Sequence, residues 1–300
     1  MKFEKMFSTI DAHVAGEAYR IVIQSPITFA ENNIKMNHEK LQSQFENTKN
    51  LLLKEPRGHR GMHGCIVLPS VVADFSLLFF THEGVSNFKC ESLIATLTGL
   101  LETGNLQQKS SHLYTVETVN GIFELHAEIA DGEVIAVTLR HSSDLIVENS
   151  QDTPLIVIDA ERQYALFEKE NEAQEITLEN LASLSKWGKG KIRNLVEKGI
   201  NVTGVILIEQ DADDISQVRS VTFESDGYIL RSPGIDSTLA IAKVYQKEVI
   251  QNSSIFNSTF KVQKDSSGAL YSISTEAFVT GIHQFIFDRE DPLENGFILA

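Results

Sequence analysis

The chain has 300 residues, 42% hydrophobic and 22% charged, which supports one large or two medium globular domains and argues against disorder. Its 26 basic and 41 acidic residues give a net charge of −15, interrupted only by a short mixed stretch at 186–193, so nucleic acid and anionic membranes are excluded as partners. No apolar run approaches the ~20 residues of a membrane span, the opening MKFEKMFSTIDAHV lacks a secretory core, and two cysteines make neither a disulfide framework nor a zinc pattern, so a cytoplasmic protein is expected.

Short β-like runs rich in Val, Ile and Phe dominate the chain. In order they are 20–24, 65–69, 75–81, 133–140, 155–159, 205–209, 221–223 and 284–287. Among the helical patterns, 37–53 reads as an amphipathic surface helix. The stretch 177–198 reads as two short helices broken near Gly188–Gly190. Two further segments are apolar on almost every side, the pattern of a buried helix. They are 91–102 (ESLIATLTGLLE), followed by Gly104 as a C′ glycine, and 236–245 (DSTLAIAKVY), with Asp236, Ser237 and Thr238 as N-cap candidates.

These two helices start 145 residues apart. The spacing suggests an α+β fold of two similar halves, each wrapping strands around a central buried helix. A single mixed sheet with helices on one face is the alternative pattern.

The residues then make a family visible. Asp11-Ala-His13-Val-Ala-Gly16-Glu17-Ala-Tyr-Arg20 resembles the opening block of the proline racemases. Glu55-Pro56-Arg57-Gly58-His59 through Gly64 resembles their second block, and His82-Glu83-Gly84-Val-Ser86 the approach to their first catalytic loop. Arg231-Ser232-Pro233 matches the approach to the second loop. Thr280-Gly281-Ile-His283, Asp291-Pro292 and Gly296-Phe297 match the C-terminal block. The resemblance implies two pseudo-symmetric halves related to diaminopimelate epimerase, here 1–125 plus 285–300 and 126–284, with the active site in the cleft between them. It also implies a cofactor-independent mechanism. One cysteine thiolate removes the substrate α-proton, and a second cysteine delivers a proton to the other face. Each cysteine stands at the N-terminus of a central helix, where the dipole lowers a thiol pKa.

At those two loops the chain departs from the family. The first loop reads Met-Cys-Gly-His-Gly in the family. Counting from Glu83 puts Lys89 on the cysteine, Cys90 on the glycine, Glu91 on the histidine and Ser92 on the second glycine. In the second loop, Gly234 stands on the cysteine, and Ile235, Asp236 and Ser237 replace the small residues whose amides would meet a carboxylate. Gly234 offers no acid, and Glu91 and Asp236 put negative charge where an anion would bind.

Lys89 reads as a desolvated base or as an ion-pair partner of Glu91 or Asp236. Cys90 reads as a nucleophile or as a small buried apolar residue, and Cys65 as core. His13, His59 and His82 read as framework or catalytic histidines, and Asp11 and Arg231 as ion-pairing or ligand-binding groups. The pocket candidates are His13, Glu91, Ser92, Arg231, Gly234, Ile235, Asp236 and Ser237. No spacing suggests a metal and no glycine-rich loop a nucleotide. A small amino-acid-like ligand in the interdomain cleft is the expected partner, and a homodimer is open. The expected function is a family protein without two-thiol racemase or epimerase activity. The alternative is a one-base enzyme acting at the α-carbon of a proline-like amino acid through Lys89 or Cys90.

Overall fold

The structure, a computed structural model, describes residues 5–30, 33–44, 46–81, 84–85, 88–150, 153–169, 175–211, 213–214 and 216–298. The chain divides into two units, Met1–Leu139 with Thr275–Ala300, and Arg140–Ser274.

In the first unit, β1 (Lys5–Val14) and β2 (Glu17–Gln24) form an antiparallel hairpin. Helices α1 (Ile34–Gln44) and α2 (Glu46–Leu53) cross over to β3 (Met62–Leu68), which runs parallel to β2. Strand β4 (Phe75–Thr81) returns antiparallel and carries the short β5 (Gly84–Val85) at its end. Helix α3 (Cys90–Glu102) crosses to β6 (Leu113–Thr118), parallel to β4. Strands β7 (Gly121–Ala130) and β8 (Glu133–Ser142) then follow antiparallel.

The second unit opens with β9 (Ile146–Ser150), β10 (Thr153–Val157) and β11 (Gln163–Glu168), all antiparallel. Helix α4 (Leu181–Glu197) crosses to β12 (Gly204–Gln210), parallel to β11, and β13 (Gln217–Glu224) returns antiparallel. Helix α5 (Ile235–Val244) crosses to β14 (Val249–Ser253), parallel to β13, and β15 (Thr259–Lys264) and β16 (Leu270–Thr275) complete the run. Strand β17 (Phe278–Phe287) then pairs antiparallel along β1.

The pairing order is the same in both units. The path β17-β1-β2-β3-β4-β6-β7-β8 has the same sequence of antiparallel and parallel neighbours as β9-β10-β11-β12-β13-β14-β15-β16. Each parallel pair is joined by a helical crossover, as parallel pairing requires. Helix α3 therefore corresponds to α5, and α1 with α2 corresponds to α4.

The apolar patterns explain the layers. Every residue of α3 from Cys90 to Leu101 is buried, and so is every residue of α5 from Ile235 to Ala242. Each fully buried Leu or Ile there contributes about 1.5–3 kcal/mol. Helix α3 packs on β1, β2, β3 and β17, and α5 on β10, β14 and β15. A second core layer sets α1 and α2 against Phe7, Val22, Ile66, Leu78 and Phe80. Its counterpart sets Leu184, Ile192 and Leu195 of α4 against Val205, Leu207, Val221 and Phe223. Among the described residues no helix is long and apolar enough to cross a membrane.

Three expectations need correction. The helix expected over 37–53 is two helices, with residue 45 between them outside the described residues. The break expected near Gly188–Gly190 is absent, because α4 runs through both glycines. At Gly188 a Cβ would come within 2.3 Å of the Phe223 ring, so this glycine admits the strand below it and does not end the helix. The unit boundaries also shift from 125 and 285 to 139 and 275. The reason is that β7 and β8 continue the sheet from β6, and β17 lies along the whole of β1.

Gly188→Ala should therefore destabilise the protein by about 1–3 kcal/mol through overpacking. Gly190→Ala, with nothing within 4 Å of the added methyl, should stabilise it by about 0.5–1 kcal/mol through helix propensity. Urea unfolding of the two variants reads both signs, and equal effects would contradict this packing.

Candidate functional site

In the first unit the candidate position is the start of α3. Lys89 is its N-cap, extended at φ −127° and ψ 128°. Its carbonyl accepts the Ser92 N–H at 3.1 Å and the Ser92 hydroxyl, which close the first turn. Cys90 follows at 0% exposure, then buried Glu91 and Ser92. The Lys89 side chain is half-buried, and its Nζ lies 3.5 Å from His63 Nε2 on β3. The same Nε2 lies 3.3 Å from Oε2 of Glu17, a buried carboxylate at the start of β2. The Tyr19 ring stacks on His63 with centroids 5.3 Å apart. Lys89, His63, Tyr19 and Ser92 share with Cys65 and Phe79 a cavity of ≈ 10 Å³, the scale of a single water.

In the second unit the equivalent position is the start of α5, where Gly234 is the N-cap as Lys89 is on α3. Its φ of 76° and ψ of 124° suit only glycine. A Cβ there would also meet Ser237 Oγ at 2.9 Å and Leu230 Cδ1 at 3.2 Å. The Gly234 N–H donates to Ser232 Oγ at 3.1 Å, and its carbonyl accepts from the Thr238 hydroxyl at 2.7 Å. Ile235 is fully buried, and Ser237 Oγ lies 2.8 Å from Thr222 Oγ1. The N-cap expected among Asp236, Ser237 and Thr238 is thus Gly234, with no side-chain cap.

Asp236 turns instead to Arg162. Its two oxygens accept from Arg162 Nη1 at 2.9 and 2.8 Å, and the Tyr164 hydroxyl lies 3.4 Å from Oδ2. Arg162 also reaches Asp159 through Nε at 2.8 Å and Nη2 at 2.7 Å. Burial pushes the Asp159 carboxyl up, but the hydrogen bonds and charge of Arg162 outweigh it and hold the group below its usual range. Two carboxylates thus share one buried guanidinium, and one of them sits in the first turn of α5.

Arg20 donates to Asp11 through Nε at 2.9 Å and Nη2 at 2.6 Å, and to the carbonyls of Leu52 and Arg57. Arg57 reaches Asp291 at 2.9 Å and the carbonyls of Leu51, Leu293 and Glu294. His13 stands on β1 and stacks on Phe278 at 5.2 Å. His59 Nδ1 lies 2.9 Å from its neighbour's carbonyl, and Arg231 donates to Tyr228 Oη at 2.6 Å. His82, Glu83 and Ser86 lie outside the described residues. Sequence reasoning did not weigh His63, Arg162 or Tyr164. No local motif marks them, since Arg162 meets Asp236 from 74 residues away.

The repeated order of strands around two buried helices defines an epimerase-type fold of two like units. The family pattern described as proline racemase matches residues 9–298, and the chain belongs to that family. It is 28% identical to a trans-3-hydroxy-L-proline dehydratase of Bacillus thuringiensis subsp. konkukian, and 24% identical to a proline racemase of Clostridioides difficile, each match covering 100% of both chains. A hydroxyproline epimerase from Agrobacterium vitis, solved with bound trans-4-OH-L-proline, shares its fold at a TM-score of 0.83 and 22% identity, covering 100% of this chain and 96% of that one.

Burial pushes the Cys65 thiol up to about 12, against weaker lowering by hydrogen bonds from Thr96 and Ser92. Its thiolate, the reactive form, is gained only as pH rises toward that value. Cys65 and Cys90 are both 0% exposed, so iodoacetamide at pH 8 should label neither until the protein unfolds. Labelling of Cys90 in the native state would place it in solvent reach. Asp236→Asn should cost about 1–3 kcal/mol in urea unfolding, since Arg162 keeps Asp159 but loses a buried charged partner. An unchanged midpoint would mean that the pair contributes nothing.

Proposed function

We propose that the protein binds a small amino-acid-like carboxylate and does not racemise it. The observation that carries this reading is the pair of helix starts at equivalent positions, one bearing the Lys89 amine and the other a glycine whose backbone excludes a side chain. Two-base inversion needs a proton donor for each face of the α-carbon. Gly234 supplies none, and Ile235 beside it supplies none.

Binding remains open at the start of α3. The Lys89 ammonium at the N-cap of α3, on the positive end of the helix dipole, is a natural partner for a carboxylate. Both helix starts carry a buried acid at the second position, Glu91 on α3 and Asp236 on α5, but only the α3 start has a cationic N-cap, Lys89, where α5 has Gly234. Carboxylate recognition is therefore assigned to the Lys89 end.

The chain from Lys89 through His63 to Glu17 favours a second reading, a one-base enzyme. Removal of an α-proton followed by loss of a neighbouring hydroxyl as water needs a base on one face only, the reaction class that the name of the Bacillus relative describes. Lys89 fits this role better than Cys90, because only Lys89 reaches solvent.

Incubation in D₂O with L-proline, trans-4-hydroxy-L-proline and trans-3-hydroxy-L-proline separates the readings by NMR, with calorimetry recording affinity. Heat of binding without loss of the α-proton signal is the expected result. Exchange or elimination that Lys89→Met abolishes would establish the one-base enzyme. Neither binding nor exchange with any of the three would overturn both.

A further inference from the structure

Strand β17 is an outer edge of the first unit's sheet, and among the described residues its strand partner is β1 alone. Every second residue of an edge strand turns its N–H and C=O away from its partner, which leaves a row of backbone groups able to pair with another strand. Sheet edges are ordinarily protected by shortness, charge or proline. Strand β17 has none of these. It runs for ten residues, FVTGIHQFIF, without an Asp, Glu, Lys, Arg or Pro. Strand β9, which holds the same place in the order of the second unit, is protected. It spans five residues, IVENS, with exposed Glu148 at its centre.

The side chains of β17 fit a second copy of themselves. A register shift lies between Asp11 and Ala12, so the regular ladder runs from Gly281 to Phe287, opposite Asp11 to Lys5. Over this stretch Ile282, Gln284 and Ile286 share one face, and Gly281, His283, Phe285 and Phe287 share the other. Ile282 is 65% exposed and Ile286 39%, and Met6 is exposed beside Ile286 on β1. The order Ile-Gln-Ile reads the same in both directions, which antiparallel pairing of a strand with its own copy requires. With a two-fold axis at Gln284, Ile282 of one copy lies opposite Ile286 of the other. Gln284 then meets Gln284, and a carboxamide both donates and accepts. On the opposite face His283 meets Phe285, and Gly281 leaves room for Phe287.

We propose that two copies of the chain pair edge to edge through β17, antiparallel about a two-fold axis at Gln284. The contact is isologous, so each copy uses the same edge and the assembly closes at a dimer. Charge points to the same place. Two molecules of net charge −15 repel each other over most of their surfaces, and β17 offers a ten-residue stretch with no carboxylate. Backbone hydrogen bonds fix the register, and Ile282, Ile286 and Met6 supply the apolar cover. The seam is one strand wide, narrower than an obligate interface, so the dimer is concentration-dependent. Strand β9 cannot pair in this way, because Glu148 near its centre would face its own copy across the axis. The pairing does not depend on what the starts of α3 and α5 bind.

Sedimentation equilibrium over a concentration series reads the association, and wild-type protein should approach the mass of a dimer as concentration rises. Gln284→Lys sets two ammonium groups opposite each other on the axis. It should weaken association roughly ten-fold or more, with far-UV circular dichroism unchanged. Ile146→Lys on β9 should leave association as it is. Added cysteines read the register, because Cys65 and Cys90 are fully buried and a disulfide forms only between closely facing positions. Under mild oxidation Gln284→Cys should give a covalent dimer. Ile282→Cys alone should not, whereas Ile282→Cys combined with Ile286→Cys should. Wild-type protein that stays monomeric throughout its soluble range would overturn the proposal and leave the edge to an extended segment of another protein. Association that Gln284→Lys does not weaken would also overturn it. So would linkage by Ile282→Cys as efficient as by Gln284→Cys, or open-ended aggregates in place of a dimer.

Discussion

The ion pair between Asp11 and Arg20 is the contact through which the first unit is tied together. Both side chains are buried, and such a pair repays its desolvation only when the remaining hydrogen-bonding capacity is met. Here it is met. Arg20 makes two bonds to Asp11, reaches the carbonyls of Leu52 and Arg57, and lies over the Phe285 ring at 4.2 Å. Arg57 passes the connection on to Asp291, Leu293 and Glu294, and His283 approaches Asp11 from β17 at 3.5 Å. One network thus joins residues from the opening block, the second block and the C-terminal block. Replacing Arg20 alone would take from the buried Asp11 carboxylate its guanidinium and from the Leu52 and Arg57 carbonyls a donor.

This network ties the family's framework motifs together within the first unit. Motifs that hold strands together constrain the fold whatever the chemistry. The two helix starts face no such demand. The repeated strand order makes Lys89 equivalent to Gly234, Cys90 to Ile235, Glu91 to Asp236 and Ser92 to Ser237. An acid at the second position of each helix is favourable to the dipole. At α5 that acid has also acquired a buried guanidinium, which fixes it in place. The equivalence is one of backbone position, while the side chains at the first two positions differ.

Much of the fold was legible because it is written in local pattern. The run FSLLFFT is β4 to the residue, and the two all-round apolar segments are α3 and α5 within one residue at each end. Strand β1 was hidden, since Asp11 and His13 drew attention as a motif and break the apolar alternation. Helix α4 was misjudged because Gly188 looks like a breaker in one dimension and is a contact with Phe223 in three. The site was legible only as far as register could carry it. Lys89 and Gly234 follow from counting along the motifs, whereas Arg162 and His63 reach the helix starts from distant strands and leave no periodic trace.

We propose that the framework of the racemase family persists here without the two-thiol reaction. Chiral chromatography of L-proline and trans-4-hydroxy-L-proline after prolonged incubation at high protein concentration tests it most directly. The account predicts no D-proline and no epimer above the buffer control. Inversion that disappears in Cys90→Ser would contradict it and return the reaction to a thiol.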